Sequence, residues 1–305
     1  MSEILVETRN LTKAFGKRNA VENVNIKIKK GSIYGLIGKN GAGKTTLMRM
    51  MSGMCRPTSG SYEYVGCPGG NAEAYGRIGS LIEIPALMPQ LTAYDNLKLK
   101  SIAYDCFNDG TVKELLRIVG LGGAGDKIVR RFSLGMKQRL GIAMALVGDP
   151  DILYLDEPIN GLDPEGIAEI RDMLTKVNRE KGTTIIISSH ILAELAKVAT
   201  EFAIIDSGRI VDEFSVDRLE SKRKGKLIVK CADALRAKEV LFTSGHTDIE
   251  LADGNTLYVY EEGDPGPVIN MEICKAGILV YSFEYESTDL EQYYLDTVKD
   301  SFREA

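Results

Sequence analysis

Gly38-Lys39-Asn40-Gly41-Ala42-Gly43-Lys44-Thr45 is the stretch whose residue types and spacing point most directly to chemistry. Its glycines let the backbone curl until successive N–H groups point inward, which suits phosphate oxygens. The helix expected to begin at Thr45 adds partial positive charge at its N-terminus. Lys44 can bridge the β- and γ-phosphates of a nucleoside triphosphate, and the Thr45 hydroxyl can ligate Mg²⁺. A chance glycine-rich turn would not show the complete G-x-x-x-x-G-K-[ST] pattern between an apolar run, Ser32 to Ile37, and a helix-forming stretch, Thr45 to Met51.

Asp156 and Glu157 close the apolar run Ile152-Leu153-Tyr154-Leu155. Such a run reads as a buried strand that delivers two carboxylates to the C-terminal edge of a parallel sheet, where ligands bind. Neighbouring strand residues point to opposite sides, so the two acids can do different work. Asp156 suits Mg²⁺, directly or through water. Glu157 suits a general base that orients and deprotonates a water. The plainer role, an acidic cap for the next helix, is weakened by Pro158 and by the better cap at Asp163. His190, one of two histidines, ends the apolar run Ile185-Ile186-Ile187-Ser188-Ser189. A histidine after a strand is usually a packing or capping residue. Here its strand is expected beside the phosphate strand, which favours a γ-phosphate contact. His246 is read as structural.

Strands and helices must alternate to position these groups. Ile4 to Val6 and Val24 to Ile28 read as strands, Leu91 to Leu121 as mainly helical with Ile102, Leu115, Leu116 and Ile118 as apolar positions, and Ile152 to Leu155 and Thr184 to Ile187 as strands. Asp163 as N-cap, Pro164 as first residue, and Ile167, Ile170, Leu174 and Val177 as a stripe define a helix between the last two. That alternation implies an α/β fold with a mainly parallel sheet. Near Glu220 the composition changes, and Ser221 to Lys226 reads as a basic, solvated linker. Beyond it the pattern predicts strand (Leu227 to Cys231), helix (Ala234 to Leu241), strands (Asp248 to Leu251 and Thr256 to Tyr260), helix (Pro267 to Ala276), strand (Ile278 to Glu284) and a last helix (Leu290 to Val298). This order suits a small α+β, ferredoxin-like βαββαβ module with an added helix. The expected domains are therefore residues 1–220 and 221–305.

The 305 residues carry a net charge of −5, which gives no global reason to bind nucleic acid. No apolar stretch reaches the ~20 residues that span a bilayer, and the N-terminus lacks a signal-peptide pattern, so a cytoplasmic chain is expected. The five cysteines are scattered and never form a CxxC pair, so they read as small buried hydrophobes.

Taken in order over residues 4–215, these motifs resemble the ATP-binding cassette proteins. The marks are the P-loop at Gly38 to Thr46, a signature-like Phe132-Ser133-Leu134-Gly135-Met136-Lys137-Gln138, the Asp156-Glu157 strand, the D-loop Gly161-Leu162-Asp163 and the switch His190. The resemblance implies a P-loop NTPase cassette with a RecA-like parallel core, an antiparallel β subdomain and a helical subdomain. It implies ATP and Mg²⁺ as ligands, held by Lys39, Asn40, Gly41, Ala42, Gly43 and Thr46 beside Lys44 and Thr45. It places Phe15, otherwise a core or strand-end residue, against adenine. It also implies that Ser133, Gly135 and Asp163 meet the ATP of a second copy, since Ser133 can cap its helix and form an anion site. Two departures stand out. Met136 replaces the signature glutamine, and Glu83 falls where a Q-loop glutamine is usual. Glu83 can ligate metal but cannot donate as an amide does; Gln90 is the alternative for that role. Ile78 to Leu97 and Phe132 to Ala143 resemble the ATPases of bacitracin-resistance and lantibiotic-immunity exporters, which work with separate transmembrane permease subunits. The expected function is ATP hydrolysis coupled to export of a peptide antibiotic or similar amphipathic compound, with a soluble regulatory ATPase as the alternative.

Overall fold

The apolar runs become the centre of a six-stranded sheet. The structure is a computed structural model and describes residues 3–64, 67–68, 76–221, 224–262, 265–286 and 290–301. Strands β4 (Ile33–Ile37), β8 (Ile152–Asp156) and β9 (Thr184–Ser189) are buried at every position, as expected of parallel strands covered on both faces. The order is β11-β10-β4-β9-β8-β7, with β7 at Ile78–Leu81, β10 at Glu201–Asp206 and β11 at Arg209–Ser215. From β10 to β7 all neighbours run parallel. Ser188 of β9 pairs with Leu36 of β4 on one side and with Asp156 of β8 on the other. The C-terminal ends of β4, β9 and β8 therefore lie together along one edge. Tyr34, buried in β4, donates its hydroxyl to Glu213 of β11 at 2.7 Å. Burial, reinforced by that carboxylate, holds the Tyr34 phenol well above its usual range.

An antiparallel sheet shares a core with one face of this layer. β1 (Ile4–Phe15), β2 (Arg18–Val24), β5 (Ser59–Tyr64) and β6 (Cys67–Pro68) lie in the order β2-β1-β5-β6, and β3 (Lys27–Lys29) also pairs with β1. Leu5, Val6, Leu11 and Val21 from this sheet share a core with Leu47, Met48, Met50 and Met51 of helix α1 (Lys44–Met51) and with Ile186 and Ile205 of the parallel sheet. The single strand expected over Val24 to Ile28 is interrupted. Asn23 adopts φ +50°, and the Asn25 side chain accepts from the Asn10 N–H at 2.8 Å and donates to the Asn23 carbonyl at 2.9 Å, turning the chain between β2 and β3.

The helical stretch after β7 resolves into α2 (Ala93–Ala103), α3 (Asp109–Ile118) and α4 (Leu134–Ala145). Thr92 caps α2 and Asn108 caps α3. Leu115 and Leu116 are buried, but Ile102 is exposed. The inward face of α2 is Ala93, Asn96, Leu97 and Ser101, and Ile102 lies off it in the last turn. Helix α5 (Pro164–Lys181) follows the expected pattern: the Asp163 carboxylate accepts from the Gly166 N–H, and Ile170, Leu174 and Val177 are buried. A short α6 (Leu192–Leu195) follows β9.

The chain divides into two units, Met1–Phe214 and Ser215–Ala305. The division falls shortly before Glu220. In the second unit α7 (Val216–Ser221) precedes β12 (Lys224–Cys231). The basic stretch is thus not all linker: Lys224 to Lys226 belong to β12, and residues 222–223 lie outside the described set. β12, β13 (Ile249–Leu251), β14 (Thr256–Glu262) and β15 (Val280–Glu286) form an antiparallel sheet in the order β13-β14-β12-β15. Helices α8 (Ala234–Thr243) and α9 (Gly266–Lys275) make the two crossovers, and α10 (Leu290–Ser301) ends the described chain. A βαββαβ path with β12 and β14 central is the ferredoxin-like connectivity. Leu227, Val229, Leu257, Val259, Ile269 and Ile273 centre its core.

The cysteine reading needs correction. Cys231 is buried, but Cys106 and Cys274 are exposed thiols and Cys55 is half-buried. Scattered spacing argues against a framework but does not specify burial. Among the described residues, no helix is long and apolar enough to cross a membrane.

Close backbone approach seats α4 on β7. A Cβ at Gly79 would lie 2.2 Å from the Ala145 carbonyl and 2.5 Å from Leu153 Cδ2. Gly79→Ala is expected to lower stability by about 2 kcal/mol through overpacking. Gly123, with open space around it, provides Gly123→Ala as the near-neutral control in thermal unfolding.

Candidate functional site

The loop leaving β4 closes through glycines that no other residue could replace. Gly43 has φ +113°, and a Cβ there would meet the Ala20 carbonyl at 2.5 Å. Gly38 is as crowded, with the Ile205 carbonyl 2.4 Å from its missing Cβ. Ala42 is buried and its carbonyl accepts from the Gly208 N–H at 2.9 Å, which fastens the loop to the β10–β11 turn. Lys39, Asn40, Gly41, Gly43, Lys44, Thr45 and Thr46 line a recess of about 170 Å³ together with Ala20 and Glu157.

Two charges beside this recess are almost entirely withdrawn from water. Lys44 is 6 % exposed and Asp156 is 4 % exposed. Lys44 Nζ donates to the Gly38 carbonyl at 2.7 Å and to the Lys39 carbonyl at 3.3 Å, and lies 3.5 Å from Glu157 Oε1. Asp156 accepts from Thr45 Oγ1 at 2.7 Å and from Ser188 Oγ at 2.5 Å. The carboxylate therefore joins the start of α1 to the end of β9. Such burial is tolerable only because each charge is met by several polar partners.

Glu157 is held in an unusual conformation. Its φ is +49°, a left-handed value that costs an ordinary residue energy. Its N–H donates to Ser188 Oγ at 2.9 Å, and its Oε2 lies 2.7 Å from His190 Nδ1. The His190 backbone N–H also donates to Oε2, at 3.3 Å. The other oxygen, Oε1, is buried without a hydrogen bond; Lys44 is within ion-pair range but too far to donate. A buried carboxylate oxygen with an open lone pair beside a phosphate loop is well placed to take a proton from water.

Phe15 is exposed and lines a cavity of about 440 Å³ with Arg18, Asn19, Ala20, Gly41, Thr46, Ser207 and Gly208. Ala20, Gly41 and Thr46 also line the phosphate recess, so the two cavities adjoin. A flat ring can stack on Phe15 while its phosphates lie along the loop.

Ser133, Gly135 and Asp163 are brought together, but elsewhere. They line a second groove of about 440 Å³ with Leu134, Arg139, Gly161, Leu162 and Glu169, and it shares no lining residue with the phosphate recess. Ser133 caps α4 through the Met136 N–H. Leu134 reaches over Gly161, whose absent Cβ would lie 3.1 Å from Leu134 Cδ2.

Glu83 is not placed on Asp156 and Thr45 as a metal ligand. Its carboxylate is exposed and bound to Arg49 Nη2 at 2.7 Å. The motif match could not show this, because Arg49 lies outside every motif and far from Glu83 in sequence. Gln90 is exposed in the turn before α2. Sequence reasoning also missed Ser188, whose hydroxyl contacts both acids. Its only signal was a serine pair closing an otherwise aliphatic strand.

A family model described as ABC transporter matches residues 21–160. The chain is 39% identical over 295 residues to the bacitracin transport ATP-binding protein BcrA of Enterococcus faecalis, covering 96% of each chain and so both units. It is 44% identical over 217 residues to the lantibiotic transport ATP-binding protein SrtF of Streptococcus pyogenes, across 71% of this chain and 93% of that one. The solved dimer of the ATP-binding cassette MJ0796 in a post-hydrolysis state, bound to ADP and Pi, matches with a TM-score of 0.63 at 25% identity, over 70% of this chain and 99% of that one. The chain belongs to the ABC transporter family. It is an ATP-binding ATPase of that family, with the cassette fold expected from its motifs.

Ser188→Ala would take one hydrogen bond from the buried Asp156 carboxylate and leave the Glu157 N–H only the Ser188 carbonyl, at 3.2 Å. Loss of such bonds costs about 1–3 kcal/mol, so kcat for ATP hydrolysis is expected to fall about tenfold or more. The check is steady-state phosphate release at saturating ATP, with circular dichroism to verify the fold.

Proposed function

We propose that this chain hydrolyses ATP as one of two identical cassettes seated on a separate transmembrane permease, and that the assembly exports a peptide antibiotic or a similar amphipathic compound. The observation that carries this reading is the division of the nucleotide-facing groups. Phe15, the P-loop, Glu157 and His190 form one site, while Ser133, Gly135 and Asp163 line a groove with no residue in common. A symmetric pair would close the groove of each copy over the phosphates of the other, and two-fold symmetry completes both sites at once.

In this mechanism the loop amides and Lys44 hold the β- and γ-phosphates, and Phe15 stacks on the base. Thr45 and Asp156 are the residues that would hold Mg²⁺. Among the described residues no three acidic, histidine or cysteine side chains could cage a metal, which suits an ion completed by phosphates and water. When bound, Mg²⁺ supplies positive charge to the phosphate oxygens. Glu157 Oε1 accepts the proton as the water oxygen bonds to the γ-phosphorus and the bond to the β-phosphate oxygen breaks. His190 fixes the Glu157 carboxylate and would contact the γ-phosphate. The barrier falls by positioning and electrostatics, with no covalent intermediate on the chain. Hydrolysis and phosphate release remove charge from between the copies and allow them to part.

The cargo assignment rests on likeness to transport ATP-binding proteins named for bacitracin and lantibiotics. The passage for cargo would come from the membrane partner, and this chain would sit at the inner membrane face against it, a reading supported by the same likeness to transport ATP-binding proteins.

Glu157→Gln keeps the hydrogen-bonding shape and removes the base. It is expected to bind ATP, slow turnover at least 100-fold, and run as a dimer in ATP on size-exclusion chromatography; rapid multiple turnover would take the base role away from Glu157. Tagged protein drawn from gently solubilised membranes should bring down a multi-span membrane protein in fixed ratio. Recovery of soluble factors alone would favour a regulatory ATPase.

A further inference from the structure

Thr45 and Arg49 lie one turn apart on the same face of α1. Thr45 donates to Asp156 at the end of β8, and Arg49 pairs with Glu83 just beyond β7. Leu81 is level with Leu155 across the β7–β8 ladder, so Glu83 occupies after β7 the place that Glu157 occupies after β8. Both glutamates have positive φ, +64° and +49°. One face of the P-loop helix is thus fastened to two adjacent strand ends, by a hydroxyl and then by a guanidinium.

The segment that starts at Glu83 runs onto α4. A Cβ on buried Gly141 of α4 would lie 2.8 Å from Pro85 Cβ, so Pro85 rests directly on the helix backbone. Further along, buried Asn96 accepts from the Met88 N–H at 2.7 Å and donates to the Met88 and Thr92 carbonyls. The Pro89 carbonyl accepts from Arg130 and that of Leu91 from Val129, a few residues before Ser133. The segment is therefore bound tightly to α4 and its approach, while an ion pair fastens it to α1.

We propose that Arg49 is a positioning residue that carries the placement of the P-loop helix through Glu83 to α4, so that the Ser133 groove follows what the phosphate loop holds. Glu83 serves as the guanidinium's partner rather than as a metal ligand. A carboxylate fits this role better than an amide, because the charge-assisted pair is the stronger bond. The consequence for Ser133 rests on the two-copy reading above; the fastening itself does not.

The test uses the full chain as wild type, Arg49→Gln, Glu83→Gln and the swap Arg49→Glu/Glu83→Arg. Hydrogen exchange without nucleotide reads the fastening. A half-exposed pair predicts about three- to fivefold faster exchange over residues 84–92 in both single variants, return toward wild type in the swap, and unchanged exchange in β4 and β9. ATP hydrolysis reads the consequence: kcat falls in both singles and recovers in the swap, with KM for ATP and the Mg²⁺ half-saturation unchanged. Wild-type exchange in the singles would overturn the proposal. So would a raised Mg²⁺ requirement in both Glu83 variants with Arg49→Gln behaving as wild type, the signature of a metal ligand. If exchange changes as expected but kcat does not, the fastening exists without the transmission proposed for it. Full turnover by Glu157→Gln would remove the catalytic reading and leave the exchange result standing.

Discussion

Two buried charges set the terms on which this cassette folds. An ammonium and a carboxylate, Lys44 and Asp156, are each more than nine-tenths removed from water. Such groups are costly unless several dipoles meet them. The partners come from different parts of the chain: the Gly38 and Lys39 carbonyls from the loop after β4, Thr45 from α1, and Ser188 from β9. These partners converge only if β9 lies between β4 and β8 in the observed register. The parallel ladder and the polar site thus specify each other. A slip of one residue in β9 would turn Ser188 away and strand a carboxylate in the core.

The same edge explains why Glu157 tolerates a left-handed backbone. Its N–H is taken by Ser188 and one carboxylate oxygen is occupied by His190, so the surroundings over-determine its conformation. The remaining oxygen is buried without a hydrogen bond, 3.5 Å from Lys44 Nζ. Strain is sustainable where neighbours enforce it, and here the enforcing groups are Ser188 of β9, which also holds Asp156, and His190 just beyond that strand. One side chain, Ser188, therefore supports both acids.

Much of this was legible in the chain because it rests on local rules. The phosphate loop needs glycine at fixed positions, and the crowding of Gly38 and Gly43 shows why. The uncharged runs became β4, β8 and β9, and Asp163 and Pro164 marked the start of α5. The βαββαβ order of the second unit followed from alternating apolar patterns. What escaped depended on long-range contact. Arg49 and Glu83 are separated by thirty-four positions in sequence, and nothing local distinguishes either from an ordinary surface charge. Ser188 resembled a strand ending. Ile102 is apolar yet exposed because the inward face of α2 is set by its packing, and the break after Val24 escaped because asparagines bond locally in a way hydropathy does not register.

The helix that carries Ser133 is seated by missing side chains. Gly79 lets β7 approach the Ala145 carbonyl at one end of α4, and Gly141 lets Pro85 lie against its backbone. Contacts of this kind do not yield, because closing by even half an ångström meets backbone atoms. α4 must therefore move with β7 and with the segment after it, or not at all. The ties from that segment to the P-loop helix are of the opposite kind: charged, half-exposed and weak enough to exchange partners. A rigid seat on one side and a soft fastening on the other confine adjustment to the junction between the phosphate loop and the segment beginning at Glu83. That junction is where the phosphate loop and the helix that carries Ser133 can shift relative to each other at least cost.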